Sequence, residues 1–368
     1  MLSDTTHHPI LVEICPIEIT MPESIQAWLN LLNTQISKNR LLLDCDTNAL
    51  IRAVEQAIRL NVICTDANYI FDGRINLNFK QQYYYYREMA RSSGALTFLC
   101  TQHYGAIFRV ATSKNSDLKE QWFGKNLSGQ YLFGISHAHL RNIISPPVMA
   151  IDNKTCYIVN GVLQYVTGYK IFNMLLVGFV SGNKEIFALI PFCESASFIV
   201  LKQLSLAAIN STNTVTCQLV EHVIDKSMIV SESPLGLSLS EANQSGRNII
   251  AFHIGLALAA MDLIYTHKYL EIVIVKDTYN FLIKEILNCE EQLFSIAANT
   301  SIIPLRIKSL AILNKVFLFG DQILKGAATI SDSVFALIKK EAQIFSALAS
   351  TKDTLIETCN SIISAHWV

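Results

Sequence analysis

The sequence predicts an α+β chain in which a β module sits between two helical domains. Three observations predict it. Apolar residues recur at helical spacing through the first third of the chain. From Gly129 onward, short runs rich in β-branched and aromatic residues alternate with turn residues. After Ser231 helical spacing returns and persists to the end. The implied division is an N-terminal helical domain over 1–130, a middle β domain over 131–231 and a C-terminal helical bundle over 232–368.

The elements follow in order. Thr20 and Glu23, three apart around Pro22, read as a capping box. Ile25, Trp28, Leu29, Leu32 and Ile36 then form one apolar stripe. A second helix start falls at Asp46 or Thr47, with Leu50, Ile51, Val54 and Ile58 on one face. Residues 69–77 read as a loop, and 81–111 as a helical stretch carrying Tyr83, Tyr84, Tyr85 and Tyr86. That tyrosine run suits core packing better than a ligand tunnel. Strands are expected over 131–135, 156–159, 175–180, 186–190 and 215–220, with turn residues at Asp152-Asn153, Asn160-Gly161 and Ser181-Gly182-Asn183. The spacing suits an antiparallel barrel or sandwich. Helices are expected over 241–265, 271–298, 305–324, 331–348 and 351–363.

Composition bounds the function. Charged residues are 16% of the chain and hydrophobic ones 51%, against a usual charged share of about 25%. The longest apolar run, 249–264, contains His253 and is shorter than the roughly 20 residues needed to span a bilayer. It reads as a buried helix, with surplus apolar surface covered between subunits. A net charge of −1 from 29 basic and 30 acidic side chains argues against a nucleic-acid binder. Nine cysteines include no C-x-x-C pair, so they read as free thiols in a reducing cytoplasm. Phosphate-binding glycine loops, G-x-S-x-G and H-E-x-x-H are absent.

Several segments, taken with the helical–β–helical order, resemble the acyl-CoA dehydrogenase family over nearly the whole chain. Ser128-Gly129-Gln130-Tyr131-Leu132 is similar to the family's entry into its first barrel strand. Tyr157-Ile158-Val159-Asn160-Gly161 through Val166-Thr167-Gly168 is similar to its "G-Y-x-L-N-G-x-K-x-W-I-T-G" segment. Gly255 through Asp262 is similar to its "l-G-x-A-x-x-A-l-D" helix. The resemblance implies an N-terminal helical domain, a middle antiparallel β-barrel domain and a C-terminal four-helix bundle. It also implies FAD, an acyl-CoA or acyl-carrier thioester substrate, and a homodimer or homotetramer. On this resemblance Tyr165 takes the place of the ring-stacking tryptophan, Thr167 and Ser136 offer hydroxyls to the flavin, and Gly168 closes the segment. Gln322 and Gly326 are what remains of the glycine loop at the pyrophosphate. His139, Arg141 and Arg247 are the implied substrate contacts. His137 and His139 lie two apart, but with no third ligand beside them no metal is expected.

The catalytic apparatus departs from the family. Acyl-CoA dehydrogenation needs a carboxylate to remove the α-proton while hydride leaves for the flavin. The two family positions for that base hold Ala349 and Ser245. Glu241, one turn before Ser245, is a possible rescue, though a solvated first-turn glutamate explains it as well. The family's "R-x-x-F-G" has no counterpart at 267–275, and its three-glycine loop keeps Gly326 alone, which weakens the implied FAD site. Three readings stay open. One is a dehydrogenase acting on CH–CH groups with a displaced base. The second is a two-component flavin monooxygenase on the same fold. The third is a non-catalytic divergent member.

Overall fold

A computed structural model describes residues 19–63, 77–127, 129–244, 246–297 and 300–364. Helix α1 (Glu23–Leu31) starts at Pro22 with no side-chain cap. This corrects the Thr20–Glu23 capping box: the Thr20 carbonyl instead accepts from Gln81 Nε2 at 2.7 Å. After two irregular turns come α2 (Arg40–Cys45) and α3 (Thr47–Arg59). The Asp46 carboxylate caps α3, accepting from the Asn48 and Ala49 N–H groups at 2.8 and 3.1 Å. The expected 81–111 helix is two, α4 (Phe79–Ser92) and α5 (Gly94–Ala111), broken at an extended Ser93. The four tyrosines are buried in the core. Most of the expected 69–77 loop lies outside the described residues. Helix α6 (Ser116–Leu127) leads to the sheet.

Eight strands follow: β1 (Phe133–Ser136), β2 (Val148–Asp152), β3 (Cys156–Val166), β4 (Met174–Ser181), β5 (Lys184–Pro191), β6 (Phe198–Gln203), β7 (Val215–Asp225) and β8 (Ile229–Pro234). They form one sheet in the order β6-β7-β3-β2-β4-β5-β8, with β1 joined to β4. Most pairs are antiparallel, but β1 and β2 each run parallel to β4, so the sheet is mixed. Strands β4 and β5 are buried almost throughout.

The last third holds α7 (Leu237–Gln244), α8 (Arg247–Tyr265), α9 (Val273–Ser295), α10 (Ile303–Leu324), α11 (Val334–Ala347) and α12 (Lys352–Ile363). The expected 241–265 helix is therefore interrupted before Arg247. Helix α8 is the axis of the molecule: nearly every residue from Ile249 to Met261 is buried, among α4, α10 and α11. Its apolar length is thus spent inside the protein. Gly255 lets α8 lie close against α4: a Cβ there would lie 2.3 Å from the Arg87 carbonyl oxygen and 2.9 Å from the Ala90 Cβ.

Several buried charged side chains are held in ion pairs, which offset the cost of burial. Arg91 binds Asp262 through both oxygens, at 2.8 and 2.9 Å, tying α4 to α8. Arg87 meets Glu290 at 2.9 Å, where the Tyr83 hydroxyl also donates. Arg40 pairs with Glu341, whose other oxygen accepts from the Gly94 N–H at 2.9 Å. Gly255 and Asp262, the two named ends of the bundle-helix motif, therefore serve packing.

Candidate functional site

The segment that follows β3 comes close to β1. A Cβ on Gly134 would lie 3.4 Å from the Thr167 carbonyl oxygen, so β1 abuts the end of β3. There the β3–β7 register shifts between Leu163 and Val166. The bulge holds Tyr165 at φ +56°, a conformation unusual for a bulky residue. Its ring is consequently turned out, 69% exposed. Gly168 has φ +90°, and a Cβ there would sit 2.1 Å from the Phe172 ring. Its N–H donates to the Thr212 carbonyl at 2.8 Å. Gly168 thus shapes the turn that presents Tyr165.

The two hydroxyls differ. Thr167 is buried, and its Oγ1 lies 3.1 Å from the Thr214 hydroxyl, which lies 3.2 Å from that of Thr212. Thr212 donates onward to the Ile209 carbonyl at 2.7 Å. This chain points Thr167 into the protein. The Ser136 hydroxyl, at the end of β1, has no hydrogen-bond partner among the described residues.

After Ser136 the chain makes a 3-10 turn, Ala138–Arg141. His139 Nε2 lies 2.7 Å from the Gly178 carbonyl, which fixes the turn on β4, and burial lowers its pKa. Its role is therefore structural at that nitrogen. His137 packs near the Phe187 ring at 5.9 Å. Burial, then the nearby Arg109 and Arg141 charges, push its pKa down to about 3. Arg247 stacks over the Phe79 ring at 4.9 Å. Among the described residues no cluster of three or more His, Cys, Asp and Glu could hold a metal ion.

Ala349, Ser245 and Glu241 are the residues that the resemblance brings into question as a base. Ala349 has φ +47° in the turn between α11 and α12, and its carbonyl accepts from Arg306 Nη1 at 3.0 Å. Ser245 lies outside the described residues. Glu241 is bound to Arg109 at 2.5 Å, and that guanidinium lies over the Phe187 ring at 4.1 Å. Glu241 is thus held in an ion pair. Gln322 and Gly326 are both exposed at the end of α10; beside them Lys325 Nζ donates to the Tyr269 hydroxyl at 2.6 Å.

Arg306 does not stand out among the sequence candidates, yet the structure gives it a central place. It is 4% exposed, and its Nη2 also donates to the Ser346 and Leu348 carbonyls, at 3.2 and 2.6 Å. It therefore closes the C-terminus of α11, where the helix dipole favours a cation. A signal is present in the chain: Arg306 interrupts the apolar series Ile302, Ile303, Leu305 and Ile307 with no acid three or four residues away.

No known protein-family profile matches the chain, and no curated protein matches it in sequence. Solved structures do match in fold. A glutaryl-CoA dehydrogenase from Mycobacterium smegmatis in complex with FADH2 is 10% identical over 93% of this chain and 94% of its own, with a TM-score of 0.74. Butyryl-CoA dehydrogenase from Megasphaera elsdenii is 11% identical over 94% and 100%, with a TM-score of 0.69. Dibenzothiophene monooxygenase from Paenibacillus sp. A11-2 is 13% identical over 93% and 97%, with a TM-score of 0.70. The chain has the acyl-CoA dehydrogenase fold.

Proposed function

We propose that the protein is a flavin-dependent oxidoreductase that works without the carboxylate base of acyl-CoA dehydrogenation. The observation that carries this reading is the contrast between an outward-facing Tyr165 and a base position filled by Ala349, whose carbonyl Arg306 holds. Bound flavin would supply hydride or electron transfer. Tyr165 offers it an aromatic face and Ser136 an uncommitted hydroxyl, so the edge of β1 and β3 suits a flavin ring. Thr167 instead positions the turn through its hydroxyl chain. FAD is the cofactor we favour, with Gln322 and Gly326 toward its phosphates. The similarity to a monooxygenase supports oxygen chemistry with reduced flavin, which needs no α-proton base.

The substrate we favour is an acyl-CoA or acyl-carrier thioester, or another small molecule of that size. A second copy of the chain would cover the exposed Ile274, Phe281 and Leu318 on α9 and α10, giving a homodimer or homotetramer. We place it in the cytoplasm, where its thiols stay reduced. A non-catalytic role is the second reading, favoured by the contiguous rings of Tyr86, Phe252, Phe345 and Phe98 inside the helical region.

The test is reconstitution with FAD or FMN, followed by anaerobic addition of butyryl-CoA. The expected result is a bound-flavin spectrum, weakened by Tyr165→Ser, that butyryl-CoA does not bleach. Absence of flavin binding would sink the flavoprotein reading, and bleaching would sink the base-free reading.

A further inference from the structure

A cleft of about 500 Å³ opens between α9, α10 and α12, within the roughly 300–1,000 Å³ of small-molecule sites. No strand residue lines it, so it is separate from the edge of β1 and β3. Pro304 and Ala311 of α10 give it an apolar floor. Its charged lining comes from three helices: Glu285 on α9, Lys308 and Lys315 on α10, and Glu357 on α12. All four are half-buried.

Of these four, Lys308 alone is committed: its Nζ donates to Gln292 Oε1 of α9 at 3.1 Å. Helices α9 and α10, joined by the short connection 296–302, pack as an antiparallel pair. About two turns along from the Lys308–Gln292 contact, Lys315 therefore comes level with Glu285. The two nevertheless form no ion pair among the described residues, and Glu357 forms none either. The cleft holds them apart. On α12 the Asn360 side-chain amide and the Ser361 hydroxyl, one turn beyond Glu357, also line it, and neither makes a hydrogen bond among the described residues.

A ligand of one charge sign would satisfy part of this lining and be repelled by the rest. A molecule with an ammonium at one end and a carboxylate at the other satisfies both signs, through the charge-assisted hydrogen bonds that are the strong ones. The amide and hydroxyl between supply donors and acceptors together, as a peptide group requires, and the apolar floor takes an apolar side chain. We propose that the cleft between α9, α10 and α12 binds a short peptide with free termini, its ammonium on Glu285 and Glu357 and its carboxylate on Lys315. Neither flavin nor the turn at Ala349 enters this site.

The test is calorimetric titration of the full chain, without added flavin, with leucyl-leucine, N-acetyl-leucyl-leucine and leucyl-leucine amide. Saturable binding of leucyl-leucine is expected, with a dissociation constant about tenfold below that of either blocked form, each of which lacks one charged contact. Lys315→Met and Glu357→Gln break no side-chain bond among the described residues, so the fold survives, which an unchanged urea midpoint checks. Lys315→Met should weaken leucyl-leucine about tenfold and abolish its advantage over leucyl-leucine amide, while keeping its advantage over the acetylated form. Glu357→Gln should narrow the advantage over the acetylated form instead. Absence of saturable leucyl-leucine binding, equal binding of the blocked forms, or unchanged binding in Lys315→Met would overturn the proposal.

Discussion

Replacing Gly255 by alanine puts a methyl carbon into the close crossing of α4 and α8. The new Cβ would stand 2.3 Å from the Arg87 carbonyl oxygen and 3.0 Å from the Arg91 nitrogen, where ordinary contact begins at 3.4 Å. The obstacle is backbone, so no rotamer change relieves it, and α4 and α8 must part by about 1 Å. That movement also stretches the Arg91–Asp262 pair, which spans the same crossing. Overpacking of this kind costs about 1–3 kcal/mol. Alanine returns up to about 1 kcal/mol through its helix propensity. The net expectation is a loss of about 1–2 kcal/mol, a fall in melting temperature of a few degrees. Gly105→Ala is the control: it too is within a helix, α5, but its Cβ would meet only the Ile135 side chain, at 3.8 Å. Propensity then acts alone, and stability should rise by up to about 1 kcal/mol. Urea unfolding of both variants decides the matter. A Gly255→Ala variant as stable as the wild type would refute the packing argument.

Three further outcomes are expected. His103 and His253 are buried neutral, with burial pushing their pKa values down to about 4 and about 3; the unfolded chain binds their protons first, so stability is full above about pH 6.5 and falls toward pH 4 by up to about 3 kcal/mol for each. Urea midpoints across that range check it, and a flat profile would contradict it. Asp262→Ala leaves Arg91 with Glu88 as its remaining carboxylate and should cost about 2–4 kcal/mol in the same assay. Ala349→Glu should not create acyl-CoA-dependent flavin bleaching, measured anaerobically, and bleaching above the wild-type level would show that Arg306 does not set the electrostatics of this loop.

The parts of the fold legible in the sequence are those set by local pattern. Asp46 caps α3 because a carboxylate stands directly before an apolar-periodic run, and α8 announces itself by continuous apolarity. The break between α4 and α5 is not legible. The N–H of Gly94, next to Ser93, is claimed by Glu341, 247 residues away, and no local signal marks it. Strands β2 and β6 escape notice because most of their side chains are not buried, leaving no clear alternation to read. At the site, the resemblance names Tyr165 and Ser136, and the structure sets Gly134 of β1 beside Thr167, just past β3. The inward turn of Thr167 is invisible locally, because it depends on Thr212 and Thr214 from a distant turn.

If Ala349 stands where the proposed reading puts it, at the place of a catalytic carboxylate, the buried Arg306 bears directly on it. A general base must hold its proton loosely enough to exchange it near neutral pH, which calls for a carboxylate whose pKa is raised or unperturbed. A guanidinium within hydrogen-bond reach does the opposite, stabilising the ionised form. Arg306 donates to the carbonyl of residue 349 and to two carbonyls just before it, so a carboxylate restored at that position would be drawn into an ion pair. The loop is thereby suited to holding negative charge, and poorly suited to removing a proton. Restoring the acid alone would leave that electrostatic setting in place. On the proposed reading, the alanine at 349 and the arginine that holds its carbonyl therefore belong together.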